Sequence, residues 1–243
     1  MSLRITLATA RRVLSQLRRD PRTIALVLVV PAALQVLLRY LFDARPEQFD
    51  KVGAPILGLF PFITMFLVTS ITMLRERTTG TLERLMTLPL AKFDILGGYG
   101  IAFGVFATLQ AAITSAVAFW LLGLDVQGSA LVVVALAIAN AVLGMALGLL
   151  VSAFARTEFQ AVQFMPAVVF PQILLCGLFV PRSDMAPALD LAARVLPLTY
   201  AYDALNGAAT GHTADLGRDA AVVVVAIVLS LALGAATLRR RTA

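Results

Sequence analysis

Long apolar runs alternate with short polar segments along the whole chain. Six of these runs, 23–42, 53–74, 97–122, 129–155, 159–180 and 220–238, reach about the 20 residues a helix needs to cross a bilayer core of about 30 Å. No Asp, Glu, Lys or Arg falls deep inside any of them. Gly, Pro, Ser, Thr, Gln and Asn interrupt them instead, which suits close helix packing and local kinks. Pro31 and Gln35 lie inside the first run, and Arg39 near its end is placed to snorkel to the headgroups. Pro166 and Pro171 lie inside the fifth. Gly144 and Gly148 form a small-xxx-small pair on the fourth, which reads as helix packing.

Three segments outside the runs carry their own pattern. In the first, Leu3, Leu7, Ala10, Leu14 and Leu17 recur at helical spacing, while Arg4, Arg11 and Arg18 recur on another face, and Asp20-Pro21 ends the helix. An amphipathic basic helix ahead of a span is expected in the membrane interface, as an interfacial element or a topology anchor. In the second, 75–98, Glu76 and Gly80 precede a short apolar turn that Thr81 caps and Pro89 closes. Leu82, Leu85, Met86 and Leu88 give it an apolar face, and Glu83 and Arg84 project elsewhere. A helix of two turns is unstable alone in water, so the membrane surface or a cytoplasmic protein must cover it. In the third, Pro181, Arg182, Ser183, Asp184 and Pro187 predict a turn. Leu189, Leu191, Ala192, Val195 and Leu196 then predict a short amphipathic helix, which Pro197 breaks. A second follows over 198–209 with Tyr200, Tyr202 and Asp203. Two half-apolar helices after a proline-bearing span predict a hairpin dipping back into the outer leaflet.

Composition agrees with the pattern. Of the 243 residues, 60% are hydrophobic and 14% charged, whereas soluble domains have about 45–50% apolar and about 25% charged residues. The fold class expected is therefore an all-α polytopic membrane protein, a single domain over 1–243. It has six transmembrane helices, an N-terminal interfacial helix (1–22), a loop at 75–98 and an outer hairpin (181–219) between spans five and six. Cys176 is the only cysteine and His212 the only histidine, so no internal disulfide and no multi-histidine metal site is expected.

The net charge of +6 is distributed by topology. With both termini inside, fourteen of the twenty Lys and Arg fall on inner segments, and nine of the fourteen acids fall outside. The positive-inside rule selects this orientation, and nucleic-acid binding is not needed to explain the basic balance. The chain lacks a GxxxxGK[ST] phosphate loop, a GxSxG elbow, an HExxH pair and a CxxC pair. Asp203 with Tyr200 and Tyr202 reads as a hydrogen-bonded structural cluster, and His212 as a solvated loop residue. A transporter without an energy motif or buried charge takes its energy from elsewhere or is a passive path. An ion-coupled or passive carrier is thus the alternative class. The uncharged interiors and the lack of an evident internal repeat stand against it. A membrane enzyme acting on lipids lacks any convergent acid, His or Ser cluster.

Two stretches resemble the membrane subunit of ABC-2 type transporters, with the daunorubicin-resistance-like permeases the nearest-looking branch. The first is Glu76-Arg77-Thr78-Thr79-Gly80-Thr81-Leu82-Glu83-Arg84-Leu85, then Leu88-Pro89-Leu90. The second is Gly177-Leu178-Phe179-Val180-Pro181 followed by Leu196-Pro197-Leu198-Thr199-Tyr200-Ala201-Tyr202-Asp203-Ala204-Leu205. Asn206 and Gly207 follow where many members carry Arg. The resemblance implies that Glu76, Gly80, Thr81, Leu82, Glu83, Leu85, Leu88 and Pro89 form a coupling helix docking in an ATPase subunit. It implies an outer gate at Pro181, Pro197, Tyr200, Tyr202 and Asp203. It implies two ATPase chains that bind the ATP and Mg, with no cofactor in this chain. It also implies a second permease subunit, identical or not, and the bacterial inner membrane with both termini cytoplasmic.

The charge distribution makes a topology test. With Cys176 replaced by Ser, a cysteine at Gln48 is expected to be labelled from outside intact cells and a cysteine at Thr87 is not. The reverse labelling overturns the orientation.

Overall fold

The computed structural model describes residues 3–82 and 91–237. Among them the chain is helical, joined by short turns, with no strand. In order the helices are α1 (Leu3–Arg18), α2 (Pro21–Leu41), α3 (Pro46–Thr78), α4 (Lys92–Ala116), α5 (Ala130–Val151), α6 (Glu158–Phe164), α7 (Phe170–Leu175), α8 (Pro187–Ala193), α9 (Pro197–Thr210) and α10 (Leu216–Ala236). A π-helical turn, Val117–Leu121, extends α4, and another, Met165–Val169, joins α6 to α7. Five helices are long and apolar enough to cross a membrane: α2, α3, α4 with its π turn, α5 and α10.

Local chemistry explains several boundaries. Asp20 caps α2 by accepting from the Thr23 backbone N–H at 3.2 Å and from the Thr23 hydroxyl at 2.6 Å, and Pro21 fits the first turn. These bonds hold the Asp20 carboxyl below its ordinary pKa. α3 has 33 residues and outruns its apolar stretch in both directions. Arg75, Glu76 and Thr78 are compatible with a helix and find partners, so the helix continues until Gly80, whose φ of +73° turns the chain. The fifth apolar run differs most from expectation. Pro166 and Pro171 lack the N–H groups a regular ladder needs, so 158–175 is helical in three pieces and the backbone bends over 176–180.

α3 is the central element and packs most extensively on α5, while α10 covers α5 and α4, and α9 wedges against α10, α3 and α5. The pair expected to serve packing does so. A Cβ on Gly144 would collide with the Phe62 carbonyl, and one on Gly148 with the Phe66 carbonyl at 2.5 Å. The backbones of α3 and α5 therefore touch, and the Thr69 hydroxyl donates across the seam to the Met145 carbonyl at 3.2 Å.

α1 packs along α4 through part of the expected stripe, Ala10 and Leu17 with Leu14 beside them, and through Thr6, Thr9 and Val13 next to it. Thr6, Thr9, Ala10, Val13 and Leu17 are buried, and Gly98 of α4 sits directly on Thr9 and the Thr6 carbonyl. The small side chains permit an approach that a leucine seam would prevent. Leu3 is left 72% exposed and Leu7 is exposed beside it.

The glycine seam makes a stability prediction. Gly148→Ala is expected to lower the apparent melting temperature in detergent, since overpacking costs about 1–3 kcal/mol. Gly104→Ala, where the added carbon meets only Met145 Cε at 3.9 Å, is expected to be neutral or stabilising.

Candidate functional site

One end of the bundle gathers the end of α3, the middle of α1 and the start of α4 around a single carboxylate. Glu76 projects from the last turns of α3 and is 9% exposed. The Tyr99 hydroxyl of α4 donates to Glu76 Oε2 at 2.7 Å. Arg12 of α1 donates to the Tyr99 hydroxyl and lies 3.5 Å from Glu76 Oε2. Gln16, one turn on from Arg12, donates to Glu76 Oε1 at 3.3 Å. The Arg12 guanidinium also stands over the Tyr99 ring, 5.6 Å from its centroid. Three helices are thus tied at one point. A carboxylate so covered is held by its charge partner and its hydrogen bonds together, and removal of any one leaves an unsatisfied group.

The same end carries a second tie. Arg75 holds Glu158, the first residue of α6, through two parallel bonds of 2.7 and 2.9 Å. This bidentate pair keeps the Glu158 carboxyl below its ordinary pKa. Both side chains are exposed, so the pair sets geometry more than stability.

Beyond Glu76 the chain turns at Gly80, and the Thr79 and Thr81 hydroxyls lie 3.1 Å apart. Thr81 and Leu82 are helical. Leu82 is 3% exposed and joins the core formed with α1, α3 and α4. Leu82, expected on the apolar face of this segment, thus packs its side chain against the bundle. Glu83, Leu85, Leu88 and Pro89 lie outside the described residues. Glu76 and Gly80 were singled out by the family resemblance as coupling residues, whereas Arg12, Gln16 and Tyr99 were not singled out. The available signals were that Arg12 stands off the Arg4, Arg11 and Arg18 row, with Gln16 one turn away, and that Tyr99 is a phenol inside an apolar run.

At the opposite end the hairpin residues find separate partners. Asp203 pairs with Arg182 at 2.8 Å; burial raises the Asp203 pKa and Arg182 pulls it back. The Tyr200 hydroxyl donates to the Arg194 carbonyl at 2.7 Å. Tyr202 packs on Gly177, whose φ of +103° turns the chain out of α7. Pro197 starts α9, and Pro181 precedes a 3₁₀ turn, Arg182–Asp184. Asp203, Tyr200 and Tyr202 do not converge on one point. His212 is exposed, its ring nitrogen near the Thr210 hydroxyl. Among the described residues no group of His, Cys, Asp and Glu is arranged to hold a metal ion.

The carboxylate tie makes a stability prediction of its own. Tyr99→Phe is expected to cost about 1–3 kcal/mol, because Glu76 loses its shortest bond while buried. Arg12→Ala, which removes the contacts to both Glu76 and Tyr99, is expected to cost more and to make α1 sensitive to protease. Equal melting temperatures for both variants and the wild type would exclude the tie as a structural clamp.

Known proteins carry the same arrangement of sequence. A profile of the ABC-2 type transporter family matches residues 5–209. ABC transporter G family member 20 of Dictyostelium discoideum is 25% identical over 164 residues, 68% of this chain and 22% of that protein. Probable multidrug ABC transporter permease YbhR of Escherichia coli (strain K12) is 28% identical over 173 residues, 71% of this chain and 47% of that protein. Linearmycin resistance permease protein LnrN of Bacillus subtilis (strain 168) is 28% identical over 149 residues, 61% of this chain and 38% of that protein. The chain thus matches half or less of the length of each of these relatives. The family match runs from α1 to the end of α9 and takes in both the Glu76 tie and the hairpin, and the chain belongs to the ABC-2 type transporter family.

Proposed function

We propose that the chain is the membrane permease subunit of an ATP-driven exporter. It works as a pair with a second permease subunit, identical or not, and with two separate ATPase chains that bind ATP and Mg. The observation that carries this reading is the family match across 5–209, which includes the Glu76–Leu82 stretch and four of the five long apolar helices. Relatives named as multidrug and linearmycin resistance permeases support a drug-like or other amphipathic substrate, with lipids and glycoconjugates in the same class.

In this reading α6, its π turn and α7 with the following residues make a sixth crossing, and both termini lie in the cytoplasm of a bacterial inner membrane. α1 lies in the inner interface with Leu3 and Leu7 toward the lipid. The hairpin of α8 and α9 dips into the outer leaflet, where Pro181, Pro197, Tyr200, Tyr202 and Asp203 form the exit gate. The segment from Gly80 to Pro89 is the coupling element. Leu82 roots it in the bundle, and the Glu76 tie passes its displacement to α1 and α4. Binding of the ATPases then selects between two membrane states by differential affinity.

The test is capture of an ABC ATPase subunit by the tagged permease. The chain alone is expected to hydrolyse no ATP. Burial of a Leu side chain contributes about 1.5–3 kcal/mol. Leu82→Ser combined with Leu85→Ser is therefore expected to loosen the coupling segment, release the ATPase and abolish transport, while the chain remains inserted. Capture and transport at wild-type level by the double variant would exclude this segment as the coupling element. Export by the chain alone in liposomes without nucleotide would overturn the reading as a whole.

A further inference from the structure

A cleft of about 360 Å³ lies between the end of α5 and the outward side of α6, at the end of the bundle that carries the Glu76 tie. Phe154, Arg156, Gln160, Gln163, Phe164 and Ala167 line it. Arg156 is exposed and makes no ion pair among the described residues. The nearest acid in sequence, Glu158, has both oxygens committed to Arg75. The Gln160 side-chain oxygen accepts from the Arg156 backbone N–H at 2.8 Å, leaving its amide nitrogen as a donor toward solvent or lipid. Gln163 is exposed, and its amide makes no hydrogen bond among the described residues. Phe154 and Phe159, 64% and 72% exposed, flank these groups.

The exposed Gln163 amide, the free donor of the Gln160 amide and the Arg156 guanidinium just ahead of the helix, which no acid pairs among the described residues, are costly in hydrocarbon unless something polar meets them. Their spacing says what does. At 1.5 Å per residue the helix climbs about 7.5 Å from Glu158 to Gln163, close to the roughly 5–7 Å depth of one interfacial layer. Arg156 then stands at phosphate level, Gln160 and Gln163 at the level of glycerol and ester oxygens, and Ala167 and Phe164 against the first chain carbons. The cleft offers a cation for a phosphate, amide donors for ester carbonyls and apolar wall for an acyl chain. Among the described residues it offers no free carboxylate for the ammonium of a zwitterionic headgroup.

We propose that this cleft holds one anionic phospholipid of the inner leaflet, its phosphate on Arg156 and its ester oxygens on Gln160 and Gln163. Because the lipid bridges the end of α5 and the start of α6, and Glu158 of α6 is tied to Arg75 of α3, it braces the same end of the bundle as the coupling segment. The depth argument rests on the membrane placement proposed above. The assignment to a lipid needs neither an ATPase nor transport.

The test uses the purified full chain, reconstituted in nanodiscs of equal phosphatidylglycerol and phosphatidylcholine and then released into detergent for native mass spectrometry of retained lipid. The wild type is expected to retain phosphatidylglycerol over phosphatidylcholine. Arg156→Gln is expected to reduce that preference about tenfold, the loss of one charge-assisted bond. Arg156→Lys keeps the topology charge and is expected to fall between. Gln163→Leu, with charge unchanged, is expected to retain less of both lipids. Arg4→Gln on α1 serves as the control for bulk charge and is expected to behave as wild type, and all variants are compared as monodisperse, equally helical samples. Wild-type retention by Arg156→Gln, or an equal loss in Arg4→Gln, overturns the proposal. So does a cysteine at Gln163 that crosslinks to a second copy in lipid-free samples, which would assign the cleft to a protein interface. Any of these leaves the permease reading standing, which fails only on ATPase capture and nucleotide-free export.

Discussion

The backbone contact between α3 and α5 at Gly144 and Gly148 is the constraint on which the rest of the bundle is arranged. In a bilayer the hydrocarbon around two helices is as apolar as their side chains, so hydrophobic burial does little to hold them together. Close packing and buried hydrogen bonds must do it. The two glycines let α5 reach the Phe62 and Phe66 carbonyls, and that proximity brings the Thr69 hydroxyl to the Met145 carbonyl. Other buried polar groups follow the same rule: Gln35 donates to the Gly53 carbonyl at 3.0 Å, and Gln110 donates to Thr64. With α3 held in this way, its far end is a rigid post on which Glu76 stands.

The two ends of the bundle then differ in kind. The Glu76 end is cross-tied by charge, with Arg12, Gln16 and Tyr99 converging on one carboxylate and Arg75 clamping Glu158. In the proposed permease, a displacement of the coupling segment would pass to the helices that share these bonds. The hairpin end is tied more loosely in separate pairs, Arg182 to Asp203 and Tyr200 to the Arg194 carbonyl. A clamp at one end and pairwise contacts at the other suit the proposed exporter, driven from the first and opening at the second.

The broken fifth run fits the same division. Pro166 and Pro171 remove backbone donors, so the helix slips through a π turn and ends at Leu175 before the chain turns at Gly177. An interrupted helix between a tied end and a loosely held one is the element in which bending costs least, because its hydrogen-bond ladder is already incomplete.

The sequence by itself determined the helices, because bilayer thickness sets their length and backbone satisfaction sets their type. Five of the six runs became long apolar helices, and the Gly144–Gly148 spacing identified the seam. The family resemblance singled out Glu76 and Gly80. Tertiary structure decided what periodicity does not encode. That Thr6, Thr9 and Val13 of α1 join Ala10 and Leu17 in the packed face, while Leu3 and Leu7 stay exposed, depended on Gly98 lying opposite. Whether Leu82 faces in or out depended on the space left between α1, α3 and α4. Arg12, Gln16 and Tyr99 met Glu76 only because the middle of α1 and the start of α4 lie at the level where α3 ends. A pattern along one chain records which face of a helix is apolar, but the neighbour that occupies that face is chosen by packing among all of them.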